Sequence, residues 1–113
     1  MAKKRMFNKN WLELAATSGY RAGALAKLCK LSIRQLERQF YQALGRSPQG
    51  WLNEQRIIAS QRLLLTGQPI KQIAMELGFK QSSHFHRQFK VLSQQTPWEF
   101  IQSNADSGVH PYL

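Results

Sequence analysis

The sequence contains two related segments, and this internal repeat restricts the possible folds more than any other feature. LAKLCKLSIRQLERQFYQALGRSPQGWL, which begins at Leu25, aligns with IAMELGFKQSSHFHRQFKVLSQQTPWEFI, which begins at Ile73. The second copy has one extra residue, after which the tripeptide Arg-Gln-Phe and a later proline occur at equivalent places in both. A repeat of this kind indicates that one supersecondary unit is built twice along the chain.

Apolar residues recur at helical spacing along the chain, and strand signals are nearly absent. Each copy predicts a short helix, a tight turn, a longer helix and a helix that starts at a proline, which is a helix-turn-helix with a further helix after it. Ser47 and Thr96 precede the two prolines as candidate N-caps, and glycines lie where helices should end. The predicted fold class is all-α, with about seven helices at about 8–18, 22–29, 33–44, 48–66, 70–77, 81–92 and 97–103.

The order of these helices predicts two helix-turn-helix subdomains joined by a long linker helix. The predicted parts are a basic N-terminal arm (1–7), a first helix-turn-helix (about 22–44), the linker helix (about 48–66), a second helix-turn-helix (about 70–92), a closing helix (about 97–103) and a flexible tail (104–113). The parts between residues 8 and 103 are expected to form one domain.

The chain is strongly basic, with 16 Lys and Arg residues against six Asp and Glu, for a formal net charge of +10. Such an imbalance increases self-repulsion in the folded state, and a polyanionic partner is its simplest explanation. Nucleic acid is the favoured partner. A helical module that binds an anionic membrane surface or an acidic protein is the alternative.

A hydrolase or a DNA-processing enzyme is a further alternative, but the sequence lacks the residue patterns that such an enzyme needs. The six carboxylates are scattered, and there is no nucleophile elbow and no phosphate-binding loop. The single cysteine, Cys29, excludes an intramolecular disulfide and a cysteine-rich zinc site. We therefore predict a protein that is not an enzyme and that needs no cofactor.

His84 and His86, in the stretch SSHFHRQFK, are the residues that most suggest a metal site. Residues two apart do not share a face of an α-helix, and the four-residue spacing of zinc-binding helices is absent. We therefore expect no metal here. His84 is a candidate for contact with a partner, and His86 is expected at a flank, solvated or near a phosphate.

Nothing in the sequence predicts a membrane or secreted protein. No apolar run approaches the ~20 residues needed to span a bilayer. The basic N-terminus lacks the hydrophobic segment of a secretory signal, and a lone cysteine fits a reducing compartment. These features predict a cytoplasmic location.

The longer helix of the first copy has an apolar and a basic face. At about 100° per residue, Leu36 and Phe40 point inward, and Arg34 and Arg38 stack one turn apart on the outside. Arginine can make bidentate hydrogen bonds to the guanine edge in the major groove. Glu37 lies at the margin and either accepts from cytosine or holds one of the arginines in a useful rotamer. The second role is favoured, because phosphates repel an unpaired carboxylate.

The longer helix of the second copy repeats this arrangement. Phe85, Phe89 and Leu92 face inward at helical spacing, and Ser83 and Arg87 lie nearly opposite. The repeat aligns Ser83 with the first arginine of the other copy and Arg87 with the second. Two equivalent helices with equivalent arginines, in a chain of net charge +10, favour DNA over a merely solvated charged face.

These motifs resemble the DNA-binding domain of the AraC/XylS family of bacterial transcription regulators, over about residues 8–103. The second copy is similar to the family signature of Ile-Ala, Gly-Phe, a Ser-x-Phe-x-Arg-x-Phe-Lys helix and a terminal Pro-x-x-Phe. The residues that carry this resemblance are Ile73-Ala74, Gly78-Phe79, Ser83, Phe85, Arg87, Phe89-Lys90, Pro97 and Phe100. The first copy fits the companion motif, and Arg56 with Leu63-Leu64 fits the connecting helix.

The resemblance implies a sequence-specific transcription regulator, acting as an activator that also contacts RNA polymerase. Its two recognition helices would enter successive major-groove segments of double-stranded DNA, bound by a monomer. The base-reading residues implied are Arg34, Glu37, Arg38, Ser82, Ser83, His84 and Arg87. The phosphate-contacting residues implied are Arg46, Ser47, Asn53, Lys80, Lys90 and Thr96.

Four features differ from the usual family pattern. Two of them are minor: Ser60 stands where the family usually has alanine, and Pro69 replaces a more typical capping residue. Lys30 stands where the first turn commonly has glycine, so that turn is expected to be looser or differently shaped, at a cost of about 1 kcal/mol. The chain has no room for a separate effector domain, so no small-molecule effector site is expected in it. It is expected to be a small stand-alone member of the MarA/SoxS type, associated with the bacterial nucleoid. A C-terminal domain of a longer protein is the alternative.

Overall fold

The computed structural model describes residues 10–106, and this part of the chain is all-α, without a strand. Its seven helices, numbered here in chain order, are α1 (Trp11–Thr17), α2 (Ala22–Leu28), α3 (Ile33–Leu44), α4 (Pro48–Leu64), α5 (Ile70–Glu76), α6 (Ser82–Ser93) and α7 (Pro97–Asp106). None of these helices combines the length and the apolar character that crossing a membrane requires.

The helix ends differ from the sequence prediction mainly in α1, α4 and α7. α1 begins at Trp11 instead of residue 8, because the side chain of Asn10 caps it. α4 ends at Leu64 instead of residue 66, because the chain turns at Gly67, which has a left-handed φ of 87°. α7 continues to Asp106 instead of ending at residue 103, so the first residues of the predicted flexible tail are helical. The predicted basic arm and the tail beyond residue 106 lie outside the described residues.

The chain forms two compact units, one up to Arg56 and one from Ile57 onward. In the first unit, α1, α2, α3 and the start of α4 enclose an apolar core. Its most buried members are Ala15, Leu25, Leu36, Phe40 and Leu52. The ring of Phe40 packs against two tryptophans, with centroids 5.5 Å from Trp11 and 5.6 Å from Trp51. This packing fixes which side of α3 faces inward.

The second unit contains a row of four aromatic rings. The centroid of Phe85 lies 5.2 Å from that of Phe79 and 5.8 Å from that of Phe89, and Phe89 lies 5.7 Å from Phe100. Tilted and edge-to-face ring pairs contribute about 0.5–1.5 kcal/mol each beyond the burial of their area. The row runs from Phe79, in the turn before α6, to Phe100 in α7. It therefore fixes the inward side of α6.

The turn between α2 and α3 closes with two backbone hydrogen bonds. The amide of Lys30 donates to the carbonyl of Lys27 at 3.1 Å, and the amide of Leu31 donates to the carbonyl of Ala26 at 2.9 Å. This pair of bonds is the Schellman motif, in which the residue after the cap is left-handed. Lys30 meets that requirement with φ 57°.

The turn between α5 and α6 has the same form. The amide of Gly78 donates to the carbonyl of Met75 at 3.1 Å, and the amide of Phe79 donates to the carbonyl of Ala74 at 2.9 Å. Gly78 is left-handed, with φ 85°. The expectation that Lys30 makes the first turn looser or differently shaped was therefore wrong, because backbone hydrogen bonds hold the lysine in the conformation that glycine adopts in the second turn.

Side-chain caps fix where four of the described helices start, and one of these is α1, where Oδ1 of Asn10 accepts from the amide of Glu13 at 3.1 Å. The hydroxyl of Thr96 accepts from the amide of Glu99 at 3.1 Å, and the Glu99 carboxylate accepts from the amide of Thr96 at 2.8 Å, so this N-cap is confirmed as a capping box. The hydroxyl of Ser47 accepts from the amide three residues later at 3.1 Å, which confirms the other N-cap. Ser32 and Gln35 form a second capping box, at the start of α3.

Leu92, which was predicted to face inward, is exposed. Three other apolar residues at helical spacing, Leu28, Ile33 and Leu44, are exposed as well. All four lie in the first or last turn of their helices, where the neighbouring helices no longer cover the apolar face. The inward faces are correct in the middle of the helices, where Leu36 and Phe85 are fully buried.

Candidate nucleic-acid interface

α3 and α6 correspond residue by residue, one helix in each compact unit. Each has twelve residues and follows a Schellman turn. Position two is Arg34 in α3 and Ser83 in α6, and position six is Arg38 in α3 and Arg87 in α6. Position six lies on the side of each helix away from its buried residues, so the two arginines are the outermost side chains of their helices.

The outer face of α3 is polar and open. Arg34, Glu37 and Arg38 are all exposed, while Leu36 and Phe40, on the other side of the helix, are buried. Within the described residues Glu37 makes no ion pair with either arginine. The arrangement in which Glu37 holds an arginine in place is not formed in the free protein, where the carboxylate is exposed, and that role stays a prediction for the complex with DNA.

The outer face of α6 carries several hydrogen-bonding groups close together. Ser83, His84 and Arg87 are exposed and line a shallow depression with Lys80 and Gln81 from the preceding turn. Two cations, a hydroxyl, an imidazole and an amide thus meet at the N-terminal half of the helix. Such a surface suits phosphate oxygens and the acceptor-rich edges of base pairs.

The two histidines of α6 have different partners. The ring of His84 lies edge-on to Phe79, with centroids 5.4 Å apart. Nδ1 of His86 donates to the carbonyl of Ser82 at 2.8 Å, and the Ser82 side chain is half-buried, unlike that of Ser83. No three His, Cys, Asp or Glu side chains come together between residues 10 and 106 as a metal ion would require.

Arg46, a candidate for contact with phosphate, is paired with an acidic residue. Its Nη2 atom lies 2.7 Å from Oε2 of Glu54, and the two side chains are 40% and 41% exposed. An ion pair this exposed is worth about 0–1 kcal/mol, because water screens it and both side chains lose conformational freedom. A phosphate can therefore replace Glu54 as the partner of this guanidinium at little cost.

Asn53, another phosphate candidate, belongs to a small hydrogen-bond network around Gln49. Nε2 of Gln49 donates to Oδ1 of Asn53 at 2.9 Å and to the carbonyl of Tyr20 at 3.0 Å. Oε1 of Gln49 accepts from the amide of Ala22 at 2.9 Å. The network joins the start of α2 to the first turns of α4, so Asn53 has a structural role in addition to any contact with DNA.

The helix starts at Ser47 and Thr96 differ in charge. At Thr96 the Glu99 carboxylate accepts the backbone amide, and hydrogen bonds from the backbone and side chain of Thr96 lower the pKa of Glu99 from its ordinary value of 4.5. A negative charge therefore occupies this helix start at neutral pH. The first turn of α4, after Ser47, has no acidic residue, so it is the better place for a phosphate.

Arg56 lies on α4, and its guanidinium has a lowered pKa. Burial lowers the pKa of Arg56, and the nearby charge of Arg21 lowers it further. The side chain is only partly buried, so it stays charged and adds to the positive potential of the first unit. Lys80 and Lys90, the remaining phosphate candidates, are both exposed in the second unit.

The outer faces also carry three exposed residues that were not among the predicted site residues. They are Tyr41, Gln42 and Val91. Gln42 and Val91 both occupy position ten, one turn beyond the arginine at position six. The spacing of four residues, continued from positions two and six, is the signal that points to them.

A family profile described as a helix-turn-helix domain matches residues 25–103 of the chain. The matched segment contains both Schellman turns and both twelve-residue helices. Fold and profile together define this chain as a protein of the helix-turn-helix class.

Known proteins with similar sequences are transcriptional activators. The HTH-type transcriptional activator RhaS of Pectobacterium carotovorum is 36% identical over 88 residues, which are 77% of this chain and 32% of that protein. The virulence regulon transcriptional activator VirF of Yersinia enterocolitica is 28% identical over 88 residues, which are 77% of this chain and 31% of that protein. The chain thus spans about a third of the length of these curated relatives.

Solved structures give the same result. A transcriptional regulator with an AraC-type DNA-binding domain from Chromobacterium violaceum is 32% identical, with a TM-score of 0.68 over 75% of this chain and 77% of that one. The C-terminal domain of the response regulator yesN from Fusobacterium nucleatum is 26% identical, with a TM-score of 0.73 over 87% of this chain and 97% of that one. This chain belongs to the AraC-type helix-turn-helix family.

Proposed function

We propose that this chain binds double-stranded DNA sequence-specifically and activates transcription. One observation supports this above all. Each compact unit presents an exposed arginine, Arg38 or Arg87, in the middle of a twelve-residue helix whose opposite side is buried. A helix held in this way offers its outer face to the major groove, which is about 12 Å wide and admits one α-helix.

The proposed base contacts differ between the units. In the first unit, Arg38 and Arg34 donate to guanine, and Glu37 accepts from cytosine, since its carboxylate is exposed and not paired with either arginine. In the second unit, Arg87 donates to guanine while Ser83 and His84 contact the neighbouring bases. Ser82 is half-buried, so it is expected to contribute less to base recognition than the exposed residues.

Phosphate contacts are proposed to fix the position of each helix in the groove. In the first unit, Arg46, Ser47 and Asn53 surround the start of α4, which has no acidic residue in its first turn. In the second unit, Lys80 lines the depression on α6 and Lys90 follows Arg87 by three residues on the same helix, and both side chains are exposed. The backbone amide of Thr96 can donate to a phosphate only after the Glu99 carboxylate, which now accepts from it, has moved away.

The arrangement on DNA is proposed as a monomer on an asymmetric site. The two units differ at position two and around it, so the half-sites they recognise are different and no second copy is needed. We propose that the helices occupy successive major-groove segments, separated by α4, and that an activator of this kind also contacts RNA polymerase in the bacterial cytoplasm, at the nucleoid. The relatives are regulators rather than enzymes, which supports a non-catalytic role.

Selection of binding sites from random duplex DNA, followed by sequencing, tests the proposal. The expected result is one enriched motif with two separate conserved parts. Binding to that motif should weaken steeply with salt, since release of about 6–10 counterions gives a steep slope, and should exceed binding to scrambled DNA by at least about a thousandfold. A basic patch without a reading surface would bind all sequences alike.

A further inference from the structure

We propose that Val91 is a base-reading residue that recognises the methyl group of thymine in the major groove. This inference rests on the proposed function and extends it by one contact of a different chemical kind. The residues implied by the family resemblance read base edges with hydrogen bonds, whereas a valine can contribute only apolar contact.

Val91 is exposed near the C-terminal end of α6. Its side chain is 67% exposed, although it lies within the last three residues of a helix whose inner face includes two fully buried phenylalanines. Met75, in α5, is equally exposed at 67%. A single exposed apolar residue needs no explanation by itself, but the position of Val91 on the helix indicates a function.

Val91 continues the row of outer residues that contains Ser83 and Arg87. The three residues are spaced by four, and at a rise of 1.5 Å per residue the row extends about 12 Å along α6. That length is similar to the width of the major groove. All three side chains are exposed and lie away from the buried rings of Phe85 and Phe89. A helix that places Arg87 against a base edge therefore brings Val91 to the same groove floor.

The positive charges next to Val91 indicate which kind of partner covers it. Arg87 precedes it by one turn, Lys90 is its neighbour in sequence, and both cations are exposed. A protein partner that buried Val91 in an apolar interface would also have to desolvate these charges, whereas DNA neutralises them with phosphates. The thymine methyl is the one apolar group that base pairs present in the major groove. DNA with a thymine at this place thus neutralises both cations and gives the valine an apolar contact.

The corresponding position in the first unit supports a role in specificity. Position ten of α3 is Gln42, which is exposed and carries an amide that can bind adenine through two hydrogen bonds. The two reading helices are thus alike at position six and chemically different at position ten. Four residues of helix advance about 6 Å, so Val91 is expected to contact a thymine about two base pairs from the guanine bound by Arg87.

Replacement of thymine by deoxyuridine tests the assignment, because it removes only the methyl group. The probe is the duplex that the wild-type chain selects from random DNA, with each thymine replaced singly. Wild type is expected to lose about fourfold in affinity at one thymine, the change that corresponds to one buried methyl group. V91A is expected to bind the thymine duplex about fourfold or more weakly and to show no further loss with deoxyuridine at that place.

The matched control is M75A, which removes an equally exposed apolar side chain away from the row. M75A should keep the full preference for thymine, and circular dichroism should show V91A to be as helical as wild type. The assignment of Val91 is overturned if V91A keeps the methyl preference, or if V91A weakens binding to every duplex equally. If R87A relaxes a guanine preference while V91A behaves as wild type, only this inference fails. If wild type selects no sequence, the proposed function fails and the inference falls with it.

Discussion

Arg87 and Phe89 are two residues apart in the sequence and lie on opposite sides of α6. The side chain of Arg87 is exposed, whereas Phe89 has no exposed surface. The Phe89 ring packs between those of Phe85 and Phe100, at centroid distances of 5.8 and 5.7 Å. One of the two residues thus holds the helix in place, and the other is exposed to solvent. Mutations can test these two roles separately.

Phe89→Ala is expected to destabilise the protein by about 3–5 kcal/mol, because it removes a buried ring and leaves a cavity between two others. Denaturation by urea, followed by circular dichroism, measures this change. Arg87→Ala is the matched control, since loss of an exposed side chain should change stability by no more than about 0.5 kcal/mol. An unchanged unfolding midpoint for Phe89→Ala would show that the inner face of α6 is misassigned.

Lys30→Gly is expected to stabilise the protein by about 1 kcal/mol. Lys30 is left-handed at φ 57°, where a side chain is strained and glycine is not. Lys27→Gly is the control. Lys27 is exposed in the last turn of α2 and has ordinary helical geometry, so glycine should destabilise there by about 0.5–1 kcal/mol. Equal destabilisation by both substitutions would contradict the strain assigned to Lys30.

Glu99→Gln is expected to lower stability at neutral pH and to have less effect in acid. The folded protein lowers the pKa of Glu99 from 4.5, through hydrogen bonds with Thr96. A carboxyl with a lowered pKa contributes stability above its unfolded-state pKa and loses it as the pH falls through the folded-state value. Melting temperatures of both proteins from pH 7 to pH 3 should converge below about pH 4.5. A difference that stays constant over this range would argue against the charged capping box.

Glu54→Gln is expected to raise affinity for DNA of any sequence by up to about fivefold, because it frees Arg46 for a phosphate at the expense of a weak ion pair. The salt dependence of binding should also become steeper. Fluorescence anisotropy with a random-sequence duplex at two salt concentrations measures both effects. Glu76→Gln makes the same change of charge on α5 and should raise affinity less. If the two variants behave alike, Arg46 has no special role.

Local signals in the sequence were enough to predict the helices and the repeat. Pro48 and Pro97 each follow a hydroxyl residue, and both helix starts are confirmed by the hydrogen bonds of Ser47 and Thr96. The helical spacing of apolar residues correctly predicted that Leu36 faces inward. In the middle of an amphipathic helix, neighbouring helices cover the whole apolar face. Near helix ends the same reasoning failed, since burial there depends on neighbouring elements that the local sequence does not specify.

Contacts between distant residues could not be read from the sequence. Gln49 connects α4 to the backbone around Ala22, 27 residues away, and nothing in either local sequence indicates this contact. The sequence showed that Lys30 stands where glycine is common, but not that Lys30 keeps the left-handed conformation of Gly78. Nor did it reveal that Gln94, with φ 66°, is left-handed at the place where the first copy has Gly45, with φ 70°. The surrounding hydrogen bonds impose the conformation whichever residue is present.

Two equivalent helices, one in each unit, are proposed to read two separate parts of one DNA site. The most direct test is selection from random DNA with three proteins: wild type, Arg38→Ala and Arg87→Ala. Each variant is predicted to relax the preference at one or two base pairs, and the two relaxed positions should lie about one helical turn, 10–10.5 base pairs, apart. Relaxation at the same base pairs in both variants, or an equal loss on all sequences, would contradict the account.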